Sequence, residues 1–264
     1  MRNAGRVLGI GTLTARIVEC IILLEAVRRK TGFRSGTGLT AVVRRRILAT
    51  AAPLVINELA WILSENTYAA IYGHMDTAAL VSMTMTYPLQ NLVMGLFTGL
   101  AAAATPLLGG SLGLGHRDTA QTDAIRLLRI SLTAASVLAV TTAATAQLYT
   151  SVYNVPPDLR SSAVACLLVF SGYLVVKVQN KVIYDGILSS GGDTRYFLVT
   201  GTLTTWLVGV PAAFIAAFVL GWPVWGVYLI LSLEEVIRLV IGLRRVHSTK
   251  WMRIDVANIT GLPT

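Results

Sequence analysis

Long apolar runs separated by short polar breaks dominate this chain. Each run is close to or above the roughly 20 mostly apolar residues that a membrane-spanning helix needs. None of them shows the ten-residue alternation that is typical of transmembrane β-strands. The pattern therefore predicts an all-α, polytopic membrane bundle of about seven spanning helices, at Val7–Val27, Ile47–Gly73, Leu80–Leu108, Leu127–Tyr149, Ala163–Leu188, Phe197–Leu220 and Val224–Leu243.

The first and last predicted spans resemble each other. In each, a glycine is followed eight residues later by a glutamate and then by an Arg-Arg pair, with Glu19 in the first span and Glu234 in the last. Membrane transporters are often built from such repeats. We therefore predict the closing helix of a preceding repeat (1–28), a basic cytoplasmic linker (29–46), a six-helix lobe (47–246) and a cytoplasmic tail (247–264).

Composition supports a membrane protein and excludes a soluble domain. The chain is 54% hydrophobic and only 13% charged, with a mean hydropathy of +0.66, so much of its surface must face lipid. The formal net charge of +9 does not indicate a nucleic-acid partner. Of the 22 Lys and Arg residues, 15 fall on one side of the predicted spans and three on the other, which predicts that the basic side and the C-terminus are cytoplasmic.

Few residues offer catalytic or metal-binding chemistry. Cys20 and Cys166 each lie within an apolar run, where a free cysteine usually acts as a small packing residue. The three histidines lack metal-ligand spacing. The sequence also contains no P-loop and no nucleophile–base set, so we predict neither an enzyme nor a metal site.

One polar turn resembles a family motif. Gly191-Gly192-Asp193-Thr194-Arg195 follows one apolar helix and precedes another, and it resembles the "GGGDTR" connection of the multidrug and toxic compound extrusion (MATE) family. We interpret it as a structural element in which the glycines permit a tight turn of the backbone and Asp193 caps the next helix. Other pieces resemble the family in the same order: Pro53 to Glu58 with Trp61, Gly109 to Asp118, Trp206 with Pro211, and Lys250 with Trp251.

The resemblance runs from the sixth of the family's twelve helices to the end of the chain, so it implies that five helices are missing. It also implies two six-helix lobes around a central cavity, in a bacterial plasma (inner) membrane. The implied function is H⁺- or Na⁺-coupled antiport that exports drugs or toxic organic cations. The expected partners are membrane lipid, a small organic cation, and a missing N-terminal lobe or a second chain; no cofactor is expected beyond the coupling ion.

Ionisable residues within the spans are the candidates for that function. Each costs about 2.5 to 3.5 kcal/mol to insert, so its presence requires a reason. Glu58, Lys177 and Glu234 fall near the middle of three different spans, and a carboxylate there can hold a proton or Na⁺. We expect Lys177 to pair with Glu58 or Glu234, or to switch partners during transport, unless these groups only form local ion pairs that fix helix packing. The candidate substrate- or ion-binding residues are Asn57, Glu58, Trp61, Glu65, Lys177, Asn180, Glu234 and Glu235.

Three alternatives remain open at this point. A lipid-linked oligosaccharide flippase of the same superfamily would line its cavity with several cationic residues, for which Lys177 is the best candidate. An inactive transporter fragment would also fit the missing helices. A seven-span receptor fits the number of spans, although the Gly191–Arg195 turn argues against it.

Overall fold

The computed structural model describes the backbone of residues 14, 17–22, 25–26 and 41–253, and the side chains of residues 14, 17–22, 25–26, 55–56 and 58–253. The chain divides into two units, residues 1–50 and 51–264. In the first unit the described residues are helical. Most of the predicted first span, part of the predicted linker and tail residues 254–264 lie outside the described residues.

Helices account for nearly all of the described chain, and this part of it contains no β-strand. Helices α2 to α5 are long and apolar enough to cross a membrane, which agrees with an all-α membrane bundle. The helices are α1 (Ala41–Met75), α2 (Thr77–Gly113), α3 (Arg117–Ser151), α4 (Pro157–Leu188), α5 (Thr194–Val219), α6 (Val224–Leu231) and α7 (Leu233–His247).

The helices extend beyond the predicted apolar runs. Helix α1 begins at Ala41, within the predicted 29–46 linker. The first turns of α1 and α3 contain arginines. Arginine favours a helix, but because it is charged it is not counted as part of an apolar run. Pro157 stands in the first turn of α4, where its missing N–H removes no helical hydrogen bond. Hydrophobicity therefore located the helices but underestimated their length.

Helix α4 is the central element of the bundle. It packs against α2 and α3 through fully buried side chains such as Leu174 and Leu188. Gly186 allows α4 and α2 to approach closely, since a Cβ at this position would lie 3.1 Å from the Cβ of Ala104. Small residues at helix contacts are a common way to bring membrane helices together. Helix α4 is thus held firmly enough to present polar side chains from a fixed backbone.

The last span is broken into two helices. Helices α6 and α7 are separated only by Ser232, whose hydroxyl donates a hydrogen bond to the carbonyl oxygen of Tyr228 at 2.8 Å. Two glutamates, Glu234 and Glu235, follow in the first turn of α7. The backbone stays close to helical across Ser232, since its N–H donates to the carbonyl oxygen of Tyr228 at 3.2 Å and its carbonyl oxygen accepts from the N–H of Glu235 at 3.1 Å. Two acidic side chains thus lie within an otherwise apolar span.

Candidate functional site

A polar cavity lies among the helices of the second unit, at the level of the α6–α7 break. Helices α1 and α7 contribute eight of its lining residues, and α2, α4, α5 and α6 contribute the rest. Its wall is lined by Trp61, Ser64, Glu65, Tyr68, Tyr72, Met83, Tyr87, Gln90, Lys177, Thr205, Tyr228, Leu231, Glu234, Glu235 and Arg238. Five of these residues are ionisable acids or bases with full charges, which is unusual inside a membrane bundle.

Lys177 and Glu235 form an ion pair across the cavity wall. The ammonium nitrogen of Lys177 on α4 lies 3.3 Å from the Oε1 atom of Glu235 on α7. The side-chain amide of Asn180, one turn further along α4, donates to Oε2 of Glu235 at 2.6 Å and to its backbone carbonyl at 2.8 Å. Both carboxylate oxygens of Glu235 are therefore occupied by groups from α4.

Glu234 has a different environment from its neighbour. Its Oε2 atom accepts a hydrogen bond from the hydroxyl of Tyr68 on α1 at 3.3 Å. The backbone of α5 makes a π-helical turn at Thr205–Gly209, and a Cβ at Gly209 would overlap both the Glu234 carboxylate and the Tyr68 hydroxyl. Glycine is therefore required at Gly209 if this carboxylate is to be buried here.

Arg238 lies one turn beyond these glutamates on α7. Its guanidinium group stacks on the ring of Tyr184 at 4.4 Å from the centroid and lies 5.9 Å from that of Phe197. Its Nε atom is buried and has no hydrogen-bond partner among the described residues. The stacking holds the cation beside the cavity, where it offsets part of the negative charge of the glutamates.

Aromatic side chains form much of the remaining wall. Tyr228 donates a hydrogen bond from its hydroxyl to Oε1 of Gln90 on α2 at 3.0 Å, which links α6 to α2. The same ring lies 5.9 Å from the ammonium nitrogen of Lys177. A cavity that combines carboxylates with aromatic faces is suited to binding an organic cation.

The structure brings together most, but not all, of the predicted site residues. The cavity is lined by five of them: Trp61, Glu65, Lys177, Glu234 and Glu235. Asn180 lies outside the lining and donates a hydrogen bond to the Glu235 carboxylate. Glu65 is exposed, and it makes no hydrogen bond or ion pair with the other described residues.

Two expectations need correction or qualification. Glu58 is exposed and lies outside the cavity lining, roughly 10 Å along α1 from Glu65, since each helical residue advances the chain by about 1.5 Å. The expected partner of Lys177, Glu58 or Glu234, is wrong: the partner is Glu235, whose carboxylate faces α4, whereas that of Glu234 accepts a hydrogen bond from Tyr68 on α1. The side chain of Asn57 lies outside the described residues.

Sequence reasoning missed several residues of the cavity. Tyr68 and Tyr72 follow Trp61 and Glu65 on α1 at spacings of seven residues, so they share one face of the helix. That spacing is a signal that could have identified them. Gly209 had no such signal, because its importance depends on a carboxylate from another helix.

The Gly191–Arg195 turn has a structural role, but not the predicted one. Asp193 occupies the N-cap position of α5, yet its side chain makes no capping hydrogen bond. Instead its fully buried carboxylate contacts the Nε atoms of Arg245 at 2.6 Å and Arg253 at 2.9 Å. Two guanidinium groups are stronger partners for a buried carboxylate than one backbone amide. The capping prediction is therefore wrong.

The segment after α7 packs against this turn and is hydrogen-bonded to it. Gly191 has no room for a Cβ because Trp251 covers it, and its carbonyl oxygen accepts a hydrogen bond from the backbone N–H of Arg253 at 2.8 Å. The indole N–H of Trp251 donates to the side chain of Gln121 on α3 at 2.9 Å. Gly192 adopts a φ of +77°, Thr194 begins α5, and Arg195 is exposed.

The charges of the cavity lining favour a cationic guest. Within the part of the chain that the structure describes, no three His, Cys, Asp or Glu side chains are grouped in a way that could hold a metal ion. Three carboxylates face two cationic side chains in the lining, so the formal balance is one negative charge. The arrangement can bind a positively charged guest or exchange it for another cation.

Comparison with known proteins gives a consistent family. The family model described as MatE matches residues 53–232. The multidrug resistance protein MdtK of Edwardsiella ictaluri is 23% identical over 194 residues, which cover 74% of this chain and 42% of the relative. The uncharacterized transporter YisQ of Bacillus subtilis is 19% identical over 252 residues, which cover 94% of this chain and 55% of the relative.

Solved structures share the fold of this chain. A transporter of the MOP superfamily from Pyrococcus furiosus superposes with a TM-score of 0.71 at 16% identity, covering 81% of this chain and 47% of that one. The Vibrio cholerae MATE transporter VcmN in its bent form gives a TM-score of 0.71 at 15% identity, covering 83% and 49%. The chain thus spans about half the length of these proteins. Because the family model covers more than half of the chain and the fold agrees with it, this chain belongs to the MatE family of multidrug and toxic compound extrusion (MATE) transporters.

Proposed function

We propose that this chain forms one lobe of a secondary antiporter that exports organic cations in exchange for H⁺ or Na⁺. The observation that carries the proposal is the cavity, in which Glu65 and Glu234 lack a cationic partner at salt-bridge distance among the described residues while aromatic rings surround them. The relative MdtK is named as a multidrug resistance protein, which supports an organic cation as cargo.

In the proposed mechanism, the carboxylates exchange one cation for another. A carboxylate inside a membrane bundle is costly unless a proton, a metal ion or a charged guest neutralises it. Entry of the coupling ion would therefore release the cargo, and binding of the cargo would release the coupling ion. The Lys177 ammonium disfavours a metal cation near Glu235 by charge repulsion, which favours H⁺ over Na⁺ as the coupling ion.

A lipid-linked oligosaccharide flippase is a weaker candidate for this cavity. The solved structure from Pyrococcus furiosus was described as having a binding pocket of reversed polarity that suggests a different function, so pocket polarity is a relevant criterion. Here Lys177 is paired with Glu235, and Arg238 is the remaining cation of the lining. A pyrophosphate group would meet three carboxylates, which would repel it.

We further propose a plasma-membrane location in a bacterium, with the C-terminus in the cytoplasm. The support is the excess of Lys and Arg on the side of the Gly191–Arg195 turn. Transport would require a second lobe, because alternating access in such carriers involves one bundle rocking against another around a shared site. That lobe would come from a longer protein or from a second chain.

Binding of tetraphenylphosphonium to the purified chain in lipid nanodiscs tests the cation site. We expect saturable binding by isothermal titration calorimetry. Glu65→Gln should weaken it by about ten-fold, equivalent to about 1.4 kcal/mol, because it removes an unpaired carboxylate from the cavity. Glu58→Gln removes a carboxylate from the same helix outside the cavity and should have little effect. Equal effects of the two variants would contradict the site assignment.

Competition experiments identify the coupling ion. The same titration is repeated in Na⁺ and in K⁺ at one pH, and then at pH 6 and pH 8 without Na⁺. Proton coupling predicts weaker binding of the probe at pH 6 and no effect of Na⁺. Weakening by Na⁺ alone would instead identify Na⁺ as the competing ion.

A further inference from the structure

The charged groups around the cavity come from only three of its helices. Among the described lining residues, α1 contributes Glu65, α4 contributes Lys177, and α7 contributes Glu234, Glu235 and Arg238. Helices α2, α5 and α6 contribute uncharged side chains. The formal charge that a guest meets is therefore decided by these five residues.

Lys177 is the group that neutralises Glu235. Its ammonium nitrogen lies 3.3 Å from Oε1, and Asn180 donates to Oε2 at 2.6 Å. Its distance of 5.9 Å from the Tyr228 ring centroid gives it the aromatic contact that an organic cation would otherwise make. The Lys177 ammonium thus occupies a position in the cavity that a cationic ligand would otherwise take.

The other two carboxylates are differently placed. Glu234 accepts a hydrogen bond from the neutral hydroxyl of Tyr68 at 3.3 Å, and Glu65 has no hydrogen bond or ion pair with the remaining described residues. Arg238 lies near them but is stacked on Tyr184 at 4.4 Å. With Lys177 in place, the cavity has one uncompensated negative charge. Without Lys177 it would have two.

We propose that Lys177 determines the charge of the cargo, so that the cavity prefers a monovalent organic cation to a divalent one. This inference rests on the proposed cation-binding function. A dication entering the cavity would bring one positive charge more than the site can compensate, and it would be repelled by the Lys177 ammonium. A monocation would complete the charge balance and use the aromatic faces.

A matched pair of aromatic cations tests the proposal. 1-Methyl-4-phenylpyridinium carries one charge and 1,1′-dimethyl-4,4′-bipyridinium carries two, and both consist of two linked six-membered rings. Dissociation constants are measured by isothermal titration calorimetry on the 264-residue chain in lipid nanodiscs. The wild-type chain should bind the monocation more tightly. Lys177→Met should shift the ratio of the two constants toward the dication by about ten-fold or more, because close charges inside a protein interact strongly.

Two variants separate charge from packing. Lys177→Arg keeps the positive charge and should retain the preference for the monocation. Lys181→Met removes a lysine one turn along α4 that is paired with Asp185 outside the cavity lining, and its ratio should equal that of the wild type. A shift in the Lys181→Met variant as large as that in Lys177→Met would overturn the proposal.

The outcomes also separate this inference from the proposed function. If neither cation binds the wild-type chain, the cation-site function itself fails. If both bind but Lys177→Met leaves their ratio unchanged, the function stands and the role of Lys177 is refuted. If Lys177→Met does not fold, Glu235→Gln provides the reverse test. It makes the cavity formally neutral and should weaken the dication more than the monocation; an unchanged ratio would refute the proposal.

Discussion

Replacing Asp193 by Asn is expected to destabilise the protein more than any loss of a surface charge would. The carboxylate is 0% exposed and lies 2.6 Å from Nε of Arg245, which is itself only 13% exposed. Removing one partner of a buried ion pair leaves an uncompensated charge and typically costs about 3 to 5 kcal/mol. The second contact, to Arg253, adds little because that arginine is 54% exposed.

The expected loss of stability is therefore about 3 kcal/mol, since the asparagine oxygen can still accept one hydrogen bond from Arg245. For a chain of this size that corresponds to a decrease in Tm of roughly 6 to 12 °C. The assay is thermal unfolding in detergent, followed by the loss of the monodisperse peak in size-exclusion chromatography. Asp185→Asn is the matched control. Asp185 pairs with Lys181 at 2.9 Å, but the two side chains are 41% and 24% exposed, so the expected loss is at most about 1 kcal/mol.

The same ion pair can be broken from the arginine side. Arg245→Met alone should be as destabilising as Asp193→Asn, because it leaves the buried carboxylate without its main partner. Combining the two substitutions should recover part of the loss, because no unpaired buried charge remains. If Asp193→Asn and Asp185→Asn unfold at the same temperature, or if the double variant shows the full sum of both losses, then the buried ion pair does not anchor the turn.

Other predictions concern the cavity, the turn and transport. Gly209→Ala should weaken binding of tetraphenylphosphonium by about ten-fold, because a methyl group there displaces the Glu234 carboxylate and overpacking typically costs about 1 to 3 kcal/mol. Gly172 on α4 has open space around it, so Gly172→Ala should bind the probe normally in the same calorimetric assay. Equal weakening by the two variants would refute the steric argument. Gly191→Ala should displace Trp251 and increase its accessibility to the quencher acrylamide, and unchanged quenching would show that the contact is dispensable. The 264-residue chain alone in proteoliposomes should show no efflux of a cationic dye driven by a pH or Na⁺ gradient, and efflux without a second lobe would contradict the two-lobe mechanism.

The Gly191–Arg195 turn shows how far a motif can be interpreted. Its glycines and its place between two helices indicated a tight turn, and Gly192 with its positive φ fits that prediction. The role of Asp193 could not be read locally, because its partners lie about 50 residues away in sequence, at Arg245 and Arg253. An aspartate at an N-cap position can accept a hydrogen bond from a local backbone amide or from a distant guanidinium group. Which of the two binds the Asp193 carboxylate depends on how α7 packs against the turn.

The glutamates show the same limit. Glu58 and Glu65 are seven residues apart, which places them on one face of α1, but this spacing does not tell which of them faces the other helices. Only the second lies within reach of α7 and α4, because α1 approaches them near its C-terminal half, where Tyr68 and Tyr72 are buried. The choice of Glu235 over Glu234 as the partner of Lys177 likewise depends on which face of α7 packs against α4. Adjacent residues on a helix differ by about 100° in direction, so a small rotation changes the partner.

The sequence by itself determined the class of this protein, because the length and hydrophobicity of each segment decide whether it can cross a bilayer, and this property is local. It also provided the family motif and the residue types of a cation site. The tertiary structure alone decided which carboxylates share a cavity, which of them Lys177 neutralises, and that Gly209 makes room for Glu234. These properties depend on the relative positions of different helices, which are set by side-chain packing between residues far apart in the sequence.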